Sequence, residues 1–222
     1  MGREAHCGYV RTMEQIQPGL LHWTAYRDTI GADVHSYFHV PSGTLLDPME
    51  PPEGMDAIAQ AGRAERIVLT NRHHYRDSAR FSAAFGCVVL CHEAGLHEFT
   101  DGREVEGFAF GDELAPGVRA HEVGVLCPEE TAVHLAGEGG GALAFADCVI
   151  RGQHGELGFV PDSLLGDDPA AIREGLRAAF RRLCDEVEFD ALLLAHGEPI
   201  RHGGRTALRT FADAPTAGAP PG

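Results

Sequence analysis

Arg66 to Asp77 reads Arg-Ile-Val-Leu-Thr-Asn-Arg-His-His-Tyr-Arg-Asp. Ile67 to Leu69 is a short apolar run, mostly β-branched and without helical period, which predicts a buried strand that stops at Thr70. The loop after it is crowded with side chains that bind metals, donate protons or carry charge, and Ser78 to Phe85 then reads as a helix. A strand emptying into such a loop points to an α/β architecture with a site at the carboxyl ends of its strands.

The flanking chain fits that architecture. Residues 1 to 12 read as loosely structured, Gln17-Pro-Gly19 as a turn, and Leu20 to Tyr26 as a strand carrying the only tryptophan, Trp23, a core anchor. Val34 to Val40 and Thr44 to Leu46 read as strands joined by Pro41-Ser-Gly43 and ended by Asp47-Pro48. Glu53 to Ala64 reads as a helix, Cys87 to Cys91 as a strand, and Glu93 to Phe99 as a short helix. Strands follow at Glu104 to Phe110, Val118 to Val125, Thr131 to Ala136 and Ala142 to Phe145. Ile172, Leu176, Ala179, Phe180 and Leu183 make one apolar face of a helix over 170–187, with Asp167 or Asp168 as its cap before Pro169. Ala191 to Leu194 is a last buried strand, Gly204 to Ala212 a last helix, and residues 213–222 a disordered tail.

This alternation of strand blocks with helices divides near residue 115 into two similar halves. The division favours a four-layer αββα sandwich over a doubly wound sheet, within one domain over residues 17–212 preceded by a lead-in over 1–16. Net charge is −15 and the chain has no lysine, which argues against nucleic acid and anionic membrane as partners. The six cysteines are scattered and several sit in apolar runs, so a disulfide framework is not expected. With no apolar stretch at the amino terminus long enough to export or span, a cytoplasmic location is expected.

The organising segment resembles the first signature of the metallo-β-lactamase superfamily, in which a strand ends in Thr and continues His-x-His-x-Asp-His. Aligned on Leu69 and Thr70, Asn71 stands at the first His, His73 at the second, Tyr75 at the Asp and Arg76 at the last His. The pattern Val34-x-Ser36-Tyr37, a turn, then Leu45-Leu46-Asp47 resembles the superfamily's opening hairpin. Further on, Leu126 stands at the third His, Asp147 at the metal-bridging carboxylate and His196 at the final ligand, in Ala144-Phe-Ala-Asp147 and Leu192-Leu-Leu-Ala-His196-Gly. The resemblance spans roughly 17–212 and implies the αββα sandwich.

What the resemblance implies about metal is set by donor atoms. A hydrolytic zinc site uses about three protein ligands and an open position. Asn71 and Leu126 deplete the first site, and an always-protonated Arg76 cannot bind a cation in the second. The resemblance therefore leaves His73, Asp147 and His196 to hold one zinc or other divalent metal, or none. Arg76 is then expected to replace the lost metal charge opposite Asp147, since a buried carboxylate needs a counter-ion.

Two functional readings stay open. One is a hydrolase resembling the glyoxalase-II and lactamase type, acting on a small thioester, lactone or phosphoester with one metal or none, with catalytic residues drawn from His73, Arg76, Asp147 and His196. The other is an inactive relative whose pocket binds a small acidic ligand or whose fold serves a partner.

Overall fold

The computed structural model describes residues 12–214. The expectations for 1–11 and for 215–222, the loose amino terminus and most of the tail, lie outside the described residues. Among the described residues, two sheets face each other. The first has seven strands in sequential order: β1 (Glu14–Gln17), β2 (Leu20–Arg27), β3 (Ala32–His39), β4 (Thr44–Leu46), β5 (Arg66–Val68), β6 (Val88–His92) and β7 (Glu106–Phe108). Of the following strands, β8 (Glu113–Ala115), β9 (Val118–Glu122), β10 (Thr131–Leu135) and β11 (Ala142–Phe145) belong to the second sheet, while β12 (Ile150–Arg151) and β13 (Leu157–Gly158) pair separately. With β14 (Ala191–Leu194), the second sheet runs β14-β11-β10-β9-β8. The change of sheet falls between Phe108 and Glu113, at the division expected near residue 115.

Three apolar layers hold these sheets. Tyr37, Leu46 and Val68 from the first sheet meet Val133, Ala144 and Leu193 from the second in the central core. Alternation explains the outer layers: the neighbours of these residues face the other way. Trp23, Phe38, Leu45 and Ile67 pack beneath α1 (Met55–Ala61) and α2 (Ser78–Phe85), contributing Ile58 and Phe81. Leu143, Phe145, Leu192 and Leu194 pack beneath α3 (Pro169–Glu186) and α4 (Gly204–Asp213) through Leu176, Phe180, Leu183 and Leu208. The result is the four-layer αββα sandwich.

Local chemistry sets the ends of these elements. Asp168 caps α3, its carboxylate accepting the Ala171 N–H at 3.0 Å, with Pro169 at the first helical position. Asp168→Ala is expected to destabilise the fold by about 1 kcal/mol, read as a shifted denaturation midpoint at unchanged slope. Trp23 is buried with its indole N–H on the Met49 carbonyl at 2.8 Å. Cys87, Cys91, Cys127, Cys148 and Cys184 are free thiols.

Several strand assignments differ from the sequence expectation, the unexpected β8, β12 and β13 among them. β1 falls inside the expected lead-in: Glu14-Gln-Ile-Gln17 has a single apolar residue, yet it is a strand because it pairs antiparallel along β2. The expected Val118–Val125 strand ends at Glu122, and the expected Glu104–Phe110 strand narrows to Glu106–Phe108. No helix among the described residues is long and apolar enough to cross a membrane.

Candidate metal centre

The site is built where β4, β5, β11 and β14 end together. β4 runs parallel to β5, with Leu46 opposite Val68, so the residue after β4, Asp47, arrives beside Leu69 and Thr70. Its carboxylate accepts the Thr70 N–H at 2.9 Å and also the Thr70 hydroxyl. β11 runs parallel to β14, with Phe145 opposite Leu194, which delivers Asp147 and His196 just past the two strand ends.

Beyond Thr70 the chain bends at Asn71, whose side-chain oxygen accepts the His73 N–H at 2.9 Å and opens a short 3-10 turn over Arg72–Tyr75. That turn decides which histidine faces inward. His74, with its N–H on the Asn71 carbonyl at 3.2 Å, folds back under the loop and is 3% exposed. Its Nδ1 lies 2.9 Å from Asp47 Oδ2 and its Nε2 3.3 Å from Asp147 Oδ1. His196 Nε2 reaches the same Asp147 oxygen at 3.1 Å, and Asn71 Nδ2 donates to Asp147 Oδ2 at 2.8 Å. One ligand atom from each of His74, Asp147 and His196 lies within 4.8 Å of the others.

Asp147 and His196 thus meet as expected, but His73 does not join them. It is exposed, and His74, expected to be a partly exposed neighbour, takes the inner position. Arg76 also departs from expectation. Its Nη1 donates to the backbone carbonyls of His35 at 2.8 Å and Asp47 at 2.7 Å, and among the described residues it makes no ion pair with Asp147. Its backbone stands at φ 45°, and among the described residues its Nε and Nη2 are buried without a hydrogen-bond partner. The positive partner of Asp147 is His74.

The electrostatics follow from this arrangement. Burial disfavours the charged imidazole of His74, but the Asp147 and Asp47 carboxylates outweigh it and push His74 up to about 9. Burial would likewise raise Asp147, yet His74 and His196 hold it well below the ordinary carboxylate range. Asp47 is held down against its own burial by His74, with help from Arg76 and Thr70.

Sequence reasoning also passed over Glu130. It is fully buried, its Oε1 accepts the Cys148 N–H at 2.9 Å, and its Oε2 lies 3.4 Å from Cys127 Sγ and 3.5 Å from Asn71 Nδ2. Burial, then the Asp147 charge, push Glu130 up from 4.5 to about 6. A raised carboxyl stabilises the fold fully below its unfolded value and loses that contribution as pH rises through its folded one. Between pH 4.5 and 7 the loss amounts to about 2 kcal/mol for Glu130. Glu130→Gln is expected to remove that pH dependence, checked by urea denaturation at the two pH values.

His74, Asp147 and His196 suit a metal. Two imidazoles and a carboxylate form a three-ligand zinc set, and the Asp47 carboxylate on His74 Nδ1 is the outer partner that orients a ligating histidine. The superfamily's other site does not fit, since Asn71 is committed to Asp147 and the His73 turn, and Leu126 offers no lone pair.

No family profile matches the sequence, and no curated protein matches it. Solved structures do. A metallo-β-lactamase from Erythrobacter litoralis shares 16% identity over 90% of this chain and 95% of its own, with a TM-score of 0.62. The DIM-1 metallo-β-lactamase shares 12% over 91% of this chain and 97% of its own, at 0.66. A flavo di-iron protein variant from Thermotoga maritima shares 12% over 91% of this chain at 0.58; the match spans 60% of that longer chain. The chain has the metallo-β-lactamase fold.

Proposed function

We propose that this chain is a hydrolase-like protein working with one divalent metal, zinc by the chemistry of its donors, held by His74, Asp147 and His196. The observation that carries this reading is the convergence of those three side chains, with His74 oriented by Asp47. When bound, zinc would supply a Lewis acid and a water that ionises near neutral pH.

The chain's own residues define the rest. Asn71 fixes the Asp147 carboxylate by donating to Oδ2, so Oδ1 is the oxygen turned toward the two imidazoles. His73 stands exposed on the same turn, where partial desolvation by the loop and the Arg72 charge hold its imidazole below its ordinary value, favouring the form that accepts a proton at the rim. The substrate class this supports is a small thioester, lactone or phosphoester.

One observation favours a second reading. Without a cation, His74 bridges Asp47 and Asp147 as an imidazolium, so the group is satisfied electrostatically and would suit a small-ligand-binding or partner-binding relative without turnover. Metal analysis of protein made without a His tag, followed by assays on a generic thioester, lactone and phosphodiester, separates the two. Zinc with turnover that Asp147→Asn abolishes supports the hydrolase; neither zinc nor turnover overturns it in favour of the binder.

A further inference from the structure

A second set of metal-ligating side chains lies outside the Asp147 group. In the β2–β3 pairing His22 is opposite Tyr37 and Thr24 opposite His35, so strand alternation puts all four on one face. His22 and His35 are buried, at 2% and 3% exposure. Their rings stack within 7° of parallel, and His22 Nε2 sits 2.8 Å from His35 Nδ1. Glu198 comes from the other sheet, on the segment that leaves β14, and one ligand atom from each of the three residues lies within 4.8 Å of the others.

The surroundings hold these donors in place. The His35 N–H donates to the Ala195 carbonyl at 3.0 Å, tying β3 to the end of β14. Gly197, at φ 93°, turns the chain where a Cβ would stand 2.2 Å from the Arg151 carbonyl oxygen, and Arg151 Nη1 donates to the Glu198 carbonyl at 3.3 Å. The Glu14 carboxylate, also paired with Arg201, lies 3.4 Å from His22 Nδ1. A carboxylate on His22 Nδ1 turns the ring's Nε2 toward His35.

We propose that His22, His35 and Glu198 form a second site for a divalent metal with zinc-like preferences, bridging the β2–β3 hairpin to the segment after β14 and leaving a position for water. Two imidazoles and one carboxylate are a recurring zinc donor set. Two nitrogens on a tetrahedral zinc stand about 3.3 Å apart, so metal entry needs the imidazole pair to open by about half an ångström. The site shares no ligand with the His74 group.

The test uses cobalt(II) as a spectroscopic substitute and zinc for stoichiometry, on the full chain without a His tag. Asp147→Asn protein is expected to retain one tightly bound equivalent, with visible absorption bands of a four- or five-coordinate nitrogen and oxygen site. Adding Glu198→Gln or His22→Gln to that background is expected to weaken this equivalent at least 100-fold and to abolish the rise in Tm that zinc produces. Glu198 is partly exposed, so its variant keeps the test informative should His22→Gln fail to fold. Unchanged binding in the Glu198→Gln double variant, or no bound equivalent once Asp147 is replaced, would overturn the proposal and leave a hydrogen-bonded histidine pair.

Discussion

Asp147→Asn is expected to weaken zinc binding at the His74 group by at least 100-fold and to flatten the alkaline limb of the stability profile in metal-free protein. The first effect follows from losing the only anionic ligand among three. The second follows from linkage. His74 is raised from 6.5 to about 9, so its contribution is fully present below pH 6.5 and disappears as pH rises through about 9. For an interval of that size the contribution is on the order of 3 kcal/mol. The lowered Asp147 has the opposite sign, contributing above its ordinary value of 3.8 and losing that as pH falls well below it. Urea midpoints of the metal-free wild-type protein from pH 5 to 10 would show the alkaline fall. An Asp147→Asn protein with the same alkaline fall as wild type would contradict the role given to the His74–Asp147 pair.

Asp47→Ala should be the most damaging substitution in the site, destabilising the fold by about 3–5 kcal/mol. It strands the Thr70 N–H, removes the charge facing His74 Nδ1, and deprives the buried Arg76 of its nearest carboxylate. Asp47→Asn keeps an oxygen for Thr70 while losing the anion. It is expected to fold and to bind zinc 10- to 100-fold more weakly, the usual effect of removing a histidine's outer partner. Chemical denaturation of the alanine variant and competitive metal titration of the asparagine variant check the two halves separately. Wild-type zinc affinity in Asp47→Asn would show that His74 does not need this carboxylate to be oriented.

The layers of this fold are legible in the sequence because strand alternation and helical spacing are local patterns. The Ile67–Leu69 and Ala191–Leu194 runs mark strands buried on both faces, and the 170–187 helix face marks the side that meets an apolar neighbour. β1 is not legible that way, since its conformation comes from the edge of β2 rather than from its own polar residues. Asp147 and His196 were readable because strand ends are where this architecture places chemistry. The choice between adjacent His73 and His74 was not. It rests on the Asn71 cap and the tightness of a 3-10 turn, and motif alignment carries no information about which way such a turn points its side chains. The position of Arg76 was not legible for a similar reason: its guanidinium is taken up by the His35 and Asp47 backbone carbonyls, partners that motif alignment does not name. Asp47 depends on a parallel register linking residues far apart in the chain, and its sequence traces, a strand end and the last residue of the Leu45-Leu46-Asp47 hairpin pattern, gave it no role in the site.

Zinc bound per chain, compared between His73→Ala and His74→Ala proteins prepared without a tag, puts the inner-histidine assignment to its most direct trial. Loss of one equivalent in His74→Ala, with His73→Ala matching wild type, is the result this arrangement requires. Loss in His73→Ala with full retention in His74→Ala would contradict it.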